Sequence, residues 1–183
     1  MEKNKDILEA AKKDNPLWEW GKSIVIAIIL ALLIKTFIFE PTMVKGSSME
    51  KTLHEGDRLI VDKIGMKFRE LVRGDIVIMK YDAKDNYIKR IVGLPGETVQ
   101  IIDGKVYING EVLEEKYING DYTNTYNGFE WKLGDREYFL MGDNRLPGKS
   151  KDSREFGPVD IDRIIGIAKF RFYPFGDSFG TIN

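Results

Sequence analysis

Hydrophobic and polar positions divide the chain into three regimes. Residues 1–16 are polar and lysine-rich, with Lys3, Lys5, Lys12 and Lys13. From Leu17 to Phe39 the chain is dominated by Trp, Ile, Leu, Val, Ala and Phe. An apolar stretch without a polar face predicts a helix that is not simply one side of a soluble core. Its charge-free centre, Ser23 to Ile34, is 12 residues long. That is short for a membrane span and suits a signal-peptide core. No Ala-x-Ala-like site follows it, however, and the apolar pattern resumes after Lys35 with Phe37-Ile38-Phe39. Lys22 and Lys35 stand where long side chains reach two interfaces, and Trp18 and Trp20 suit an interfacial belt. The expectation is an uncleaved transmembrane signal anchor over 17–39, with 1–16 as a cytoplasmic tail and the remainder outside. A buried helix of a soluble protein is the alternative.

Glu40-Pro41 ends the helical pattern, because proline disfavours helix at the residue before it and cannot continue one. Short runs rich in Val and Ile follow, bounded by Gly, Asp or Pro, and these predict strands. They cover Asp57–Lys63, Asp75–Lys80, Tyr87–Val92, Thr98–Ile102, Glu137–Met141 and Ile164–Phe172. Asp103-Gly104 lies between Val99–Ile102 and Lys105–Ile108, a hairpin signal because both turn positions need positive φ. Asn109-Gly110 repeats it before Glu111-Val112-Leu113. Lys116 to Trp131 is polar, tyrosine-rich and irregular, and predicts no regular element. Residues 176–183 read as a frayed end. The expected fold is mainly β, an antiparallel domain over 40–175 preceded by one helix.

Charge and composition narrow the functions. The 183 residues carry 28 basic and 29 acidic side chains, so no basic field points to nucleic acid. The absence of cysteine removes disulfides, thiolate metal sites and thiol nucleophiles. With one histidine, a Ser-His-Asp triad has only His54 to use. A serine–lysine pair is one of the known variants of that logic. Ser48 follows the apolar stretch, in Gly46-Ser47-Ser48-Met49. Lys89 lies in the apolar alternation of Tyr87-Ile88-Lys89-Arg90-Ile91-Val92, facing away from Arg90. A lysine base must be neutral. Lowering its pKa from about 10.4 to roughly 8 needs about 3 kcal/mol of bias, which apolar burial can supply. A third block, Met141-Gly142-Asp143-Asn144-Arg145, precedes Ser150-Lys151-Asp152-Ser153-Arg154. Its carboxylates suggest a metal site, but Arg145 and Arg154 compete for the same oxygens.

Together the three blocks resemble the bacterial type I signal peptidases, membrane serine–lysine proteases that cut signal peptides from exported proteins. The resemblance runs from the apolar stretch to about Pro174. It implies Ser48 as nucleophile, within Ser48-Met49-Glu50-Lys51-Thr52-Leu53, and Lys89 as base. Ser150 is implied to hydrogen-bond the lysine amine. Asp143, Asp152, Arg154 and Arg90 are implied to pair and hold the strands. Val44, Met49, Leu53, Tyr87 and Ile88 are implied to line shallow pockets for small side chains before the cut. The backbone N–H of Ser48 is the implied oxyanion donor. The second donor stays unassigned, since Gly46 stands where many relatives have a hydroxyl.

The resemblance also implies a small cap over about 100–136, no metal or organic cofactor, and a bacterial cell-membrane location. Signal-peptide-bearing preproteins and the lipid bilayer are the implied partners, with the protein-export translocon as a further one. Two departures stand out: Lys51 replaces the usual proline, and Leu146-Pro147-Gly148-Lys149 lengthens the loop before Ser150. The rival readings are a self-cleaving repressor-type protease, which lacks an anchor, and a silent homologue that only binds preproteins.

Overall fold

A computed structural model describes residues 16–37, 39–176 and 178–182. Two compact units divide between Ile38 and Phe39. In the first, helix α1 spans Pro16–Phe37. Its described side chains, Trp18 to Leu32, are all exposed. The expected span over 17–39 needs two corrections. Phe39 belongs to a strand, and among the described residues no helix is long and apolar enough to cross a membrane. The side chains of 17 and 33–39 lie outside the described residues, as do Met1 to Asn15 of the expected cytoplasmic tail.

The second unit is built on antiparallel strands. In chain order these are β1 Phe39–Met43, β2 Arg58–Asp62, β3 Ile76–Lys80, β4 Asn86–Gly93, β5 Thr98–Ile102, β6 Lys105–Ile108, β7 Glu111–Val112, β8 Glu130–Lys132, β9 Glu137–Met141, β10 Val159–Asp160, β11 Ile164–Tyr173 and β12 Gly180–Thr181. The large sheet runs β1-β2-β11-β3-β4-β9-β10, with β12 also on β11, and the small one β7-β6-β5-β8. The expected mainly antiparallel β architecture holds. Two-residue turns form where expected, with positive φ at Asp103, Gly104, Asn109 and Gly110.

Patterning explains the inner strands. Ile76 to Met79 of β3 are all buried, as a strand covered on both faces requires. β4 lies between β3 and β9, so Lys89 faces Val77 across one pair and Arg90 faces both Ile76 and Met141. Val92, Phe139 and Met141 of the large sheet share an apolar cluster with Val99, Ile101, Val106 and Ile108 of the small one. That shared cluster, of order 10 kcal/mol of apolar burial at about 2 kcal/mol per side chain, seats the cap on the body.

The strands that patterning missed are at edges. β1 contains Pro41, which sits opposite Ile60 on a strand with one partner, where a missing N–H is tolerated. β12 corrects the frayed end: Gly180 and Thr181 pair with Arg171 and Phe170, and Ile182 packs against the core. β8 ends the stretch expected to be irregular.

Candidate active site

Ser48 lies in a single tight turn. The Leu53 amide donates to the Met49 carbonyl at 2.8 Å, which brings the two apolar side chains onto one face. Both are fully buried in a cluster with Val44, Leu59 and Ile78. These anchors fix the turn from below and leave half-buried Ser48 at its top. The resemblance had Leu53 lining a pocket; it is instead 0% exposed and serves as an anchor. Val44, Met49, Tyr87 and Ile88 do line a cleft of about 420 Å³, together with Ser48 and Lys89. Glu40, Lys45, Lys84 and Asp85 add charge to its wall.

Lys89 reaches the turn from β4. It is 3% exposed, and its Nζ stands 2.9 Å from Ser48 Oγ. Nζ also donates to the Ile88 carbonyl at 2.9 Å, and the Tyr87 ring lies 5.3 Å away. Burial pushes the amine down to about 8, with nearby Arg154 acting the same way and Asp152 and Asp143 opposing. Against an ordinary lysine, that raises the neutral fraction at pH 7 from below about one in a thousand to about a tenth.

The third block surrounds this pair. Arg90 binds Asp143 through two bonds of 2.9 and 2.8 Å, both side chains buried. Asp143 also accepts from Thr52 Oγ1, and Arg90 donates to the Gly74 carbonyl. Asn144 donates from its amide to the Ser48 carbonyl at 3.0 Å, and from Nδ2 to the Ser47 carbonyl at 2.9 Å. The nucleophile turn therefore hangs from Asp143 and Asn144 by three hydrogen bonds.

Asp152 is fully buried and accepts from Arg154 Nε and Nη2, the Gly142 amide and Ser150 Oγ. Burial opposes its ionisation, but the Arg154 guanidinium and these donors outweigh it and hold the carboxyl below its usual range. The resemblance implies that Ser150 bonds the lysine amine; its hydroxyl donates to Asp152 at 2.7 Å, while Lys89 Nζ bonds Ser48 and Ile88. Gly142 is why the parts fit. A Cβ there would stand 2.2 Å from Ser150 Oγ and 2.4 Å from the Ser48 carbonyl oxygen.

Several residues at this site carried no separate signal. Thr52 stood in the serine block, yet nothing in the sequence paired it with a carboxylate 91 positions away. Tyr117 and Thr123 belong to the stretch without periodicity, and Glu115 stands just before it. Arg145 is fully buried, donating to the Gly142 carbonyl, Glu115 and Thr123. Tyr117 donates to Glu115 at 2.9 Å, and its ring lies 4.1 Å from the Arg90 guanidinium carbon. His54 and Lys51 are exposed. A buried amine against a hydroxyl, at the side of a cleft, is an arrangement able to generate an alkoxide nucleophile.

Comparison with known proteins points the same way. The family model described as signal peptidase, peptidase S26, matches residues 17–173. Signal peptidase I T of Bacillus subtilis (strain 168) is 47% identical over 178 residues, covering 92% of this chain and 91% of that protein. A signal peptidase I of Bacillus amyloliquefaciens is 46% identical over 176 residues, covering 91% and 90%. Signal peptidase IB of Staphylococcus aureus is 37% identical over 177 residues, covering 88% and 92%. A crystal structure of a signal peptidase I from Enterococcus faecalis aligns at 32% identity over 54% of this chain and 97% of that chain, with a TM-score of 0.45. With the family model matching residues 17–173 and a relative 47% identical over 92% of it, the chain belongs to the signal peptidase family of serine proteases, peptidase S26.

Proposed function

We propose that this protein is a membrane-anchored endopeptidase that removes signal peptides from exported preproteins, with Ser48 as nucleophile and Lys89 as general base. The observation that carries the reading is the 2.9 Å approach of a buried amine to Ser48 Oγ. In the neutral state the amine's lone pair accepts the hydroxyl proton as Oγ attacks the carbonyl carbon of the scissile peptide bond. The resulting ammonium then protonates the departing amine, and the C–N bond breaks to leave an ester on Ser48. Water attacks that ester, giving a proton to Lys89, which passes it to Ser48 Oγ as the ester C–O bond breaks; the acid leaves and the hydroxyl and neutral amine are restored. Asp143, Asp152, Arg90, Arg154 and Ser150 hold the turn and β4 in register. Val44, Met49, Tyr87 and Ile88 supply apolar walls for small side chains just before the cut.

The anchor belongs to the same proposal. The described side chains of α1 are exposed and mostly apolar, a surface that water does not favour. On this reading 1–16 stays cytoplasmic. The chemistry is tested on one signal-peptide substrate. Ser48→Ala and Lys89→Arg abolish cleavage while the proteins stay folded, since a guanidinium is always protonated. His54→Ala keeps cleavage. An active Lys89→Arg, or a folded but dead His54→Ala, overturns the assignment.

A further inference from the structure

We propose that Glu115, in the cap, is a positioning residue for the nucleophile, acting through two buried arginines. The inference rests on the reading of Ser48 and Lys89 given above. Glu115 presents a side chain only 5% exposed and ion-paired to Arg145, which is fully buried. Arg145 Nη1 donates to Glu115 Oε2 and to Thr123 Oγ1, both at 3.0 Å, while Nη2 donates to Oε1. Arg145 Nε donates to the Gly142 carbonyl at 2.9 Å. A cap carboxylate therefore fixes the guanidinium that fixes the segment leaving β9.

Backbone bonds reinforce the same junction. Asn119 donates to the Asp143 carbonyl and Arg145 donates to the Asn119 carbonyl, both at 2.8 Å. Between those two residues lies Asn144, which holds the carbonyls of Ser47 and Ser48. A second route leaves the same carboxylate. Tyr117 donates to Glu115 Oε1, and its ring backs the Arg90 guanidinium that holds Asp143, the acceptor for Thr52. Both routes end on the turn carrying Ser48, and both start at Glu115. Displacing a reacting atom by about 1 Å can cost about 10²-fold in rate, so a lever on that turn is a lever on turnover.

A purely structural role is separable by charge. Removing Glu115 alone strands a buried guanidinium, whereas replacing both members with apolar side chains does not. The test compares wild type, Glu115→Gln, Glu115→Asp and the double variant Glu115→Leu/Arg145→Met for kcat, KM and melting temperature on one signal-peptide substrate. The expected result for Glu115→Gln is a fall in kcat of roughly 10- to 100-fold with KM within about twofold, the pattern of lost transition-state positioning. Glu115→Asp recovers part of kcat. The double variant recovers the melting temperature but not kcat. Recovery of kcat together with stability, or losses confined to KM, overturns the proposal while leaving the peptidase reading intact. A folded wild type that cannot cleave overturns that reading and the inference with it.

Discussion

At the scale of one residue, the proposed chemistry turns on where Lys89 sits. With Lys89 as the proposed base and its amine pushed down to about 8, kcat/KM is expected to rise about tenfold per pH unit below that value and to level off above it. A pH–rate profile between pH 6 and 10 checks this, and a midpoint near that of a free lysine contradicts it. The same burial has a cost. The folded amine releases its proton before the unfolded one does. Between pH 8 and 10.5 the unfolded chain thus binds more protons, and stability rises with pH across that window. At neutral pH the native state bears the full penalty, on the order of 3 kcal/mol. Lys89→Met is therefore expected to abolish cleavage and raise the melting temperature at pH 7 by several degrees, with the gain shrinking toward pH 10. Scanning calorimetry at both pH values reads it directly.

At the scale of elements, the site forms where the nucleophile turn, β4 and the segment leaving β9 meet at Gly142. Gly142→Ala tests that junction. The Ser150 side chain can rotate away from a new Cβ, but the Ser48 carbonyl is backbone held by Asn144. The turn must therefore shift, and kcat is expected to fall by at least about tenfold, with overpacking costing about 1–3 kcal/mol. Normal turnover in the variant would show that the turn has slack. The sequence made part of this legible. Ser48, Lys89 and Asp143 stand in compact local blocks, and β4 could be read because its alternation is nearly unbroken apart from Lys89 and Arg90. Edge strands β1 and β12 were not legible: one carries a proline, the other is two residues long, and pairing alone defines them. Nor was the 115–123 segment, whose order comes from bonds to Asp143 and Arg145 rather than from any period. The bond from Ser150 to Asp152 was not legible either, because the family pattern gives neighbours, not hydrogen-bond directions.

At the scale of the whole molecule, the chain divides into two units, and the anchor proposal gives each a different solvent. The anchor proposal expects the full chain to sediment with membranes, resist carbonate extraction and keep its first residues on N-terminal sequencing. Its second unit, made alone from Phe39, is expected to cleave a soluble peptide yet leave the membrane fraction. A soluble full-length chain would remove the anchor without touching the peptidase assignment. The buried amine of Lys89 has one more consequence. Its low pKa exists only while water is kept from β4, and β3, β9 and their clusters do the excluding. On the proposed mechanism, loosening that packing is expected to hydrate the amine, draw its titration back toward that of free lysine and lower activity at neutral pH while the chain is still folded. The acidic edge of the activity profile is thus a gauge of dryness in the core, one that registers breathing of the sheet before any melting curve does.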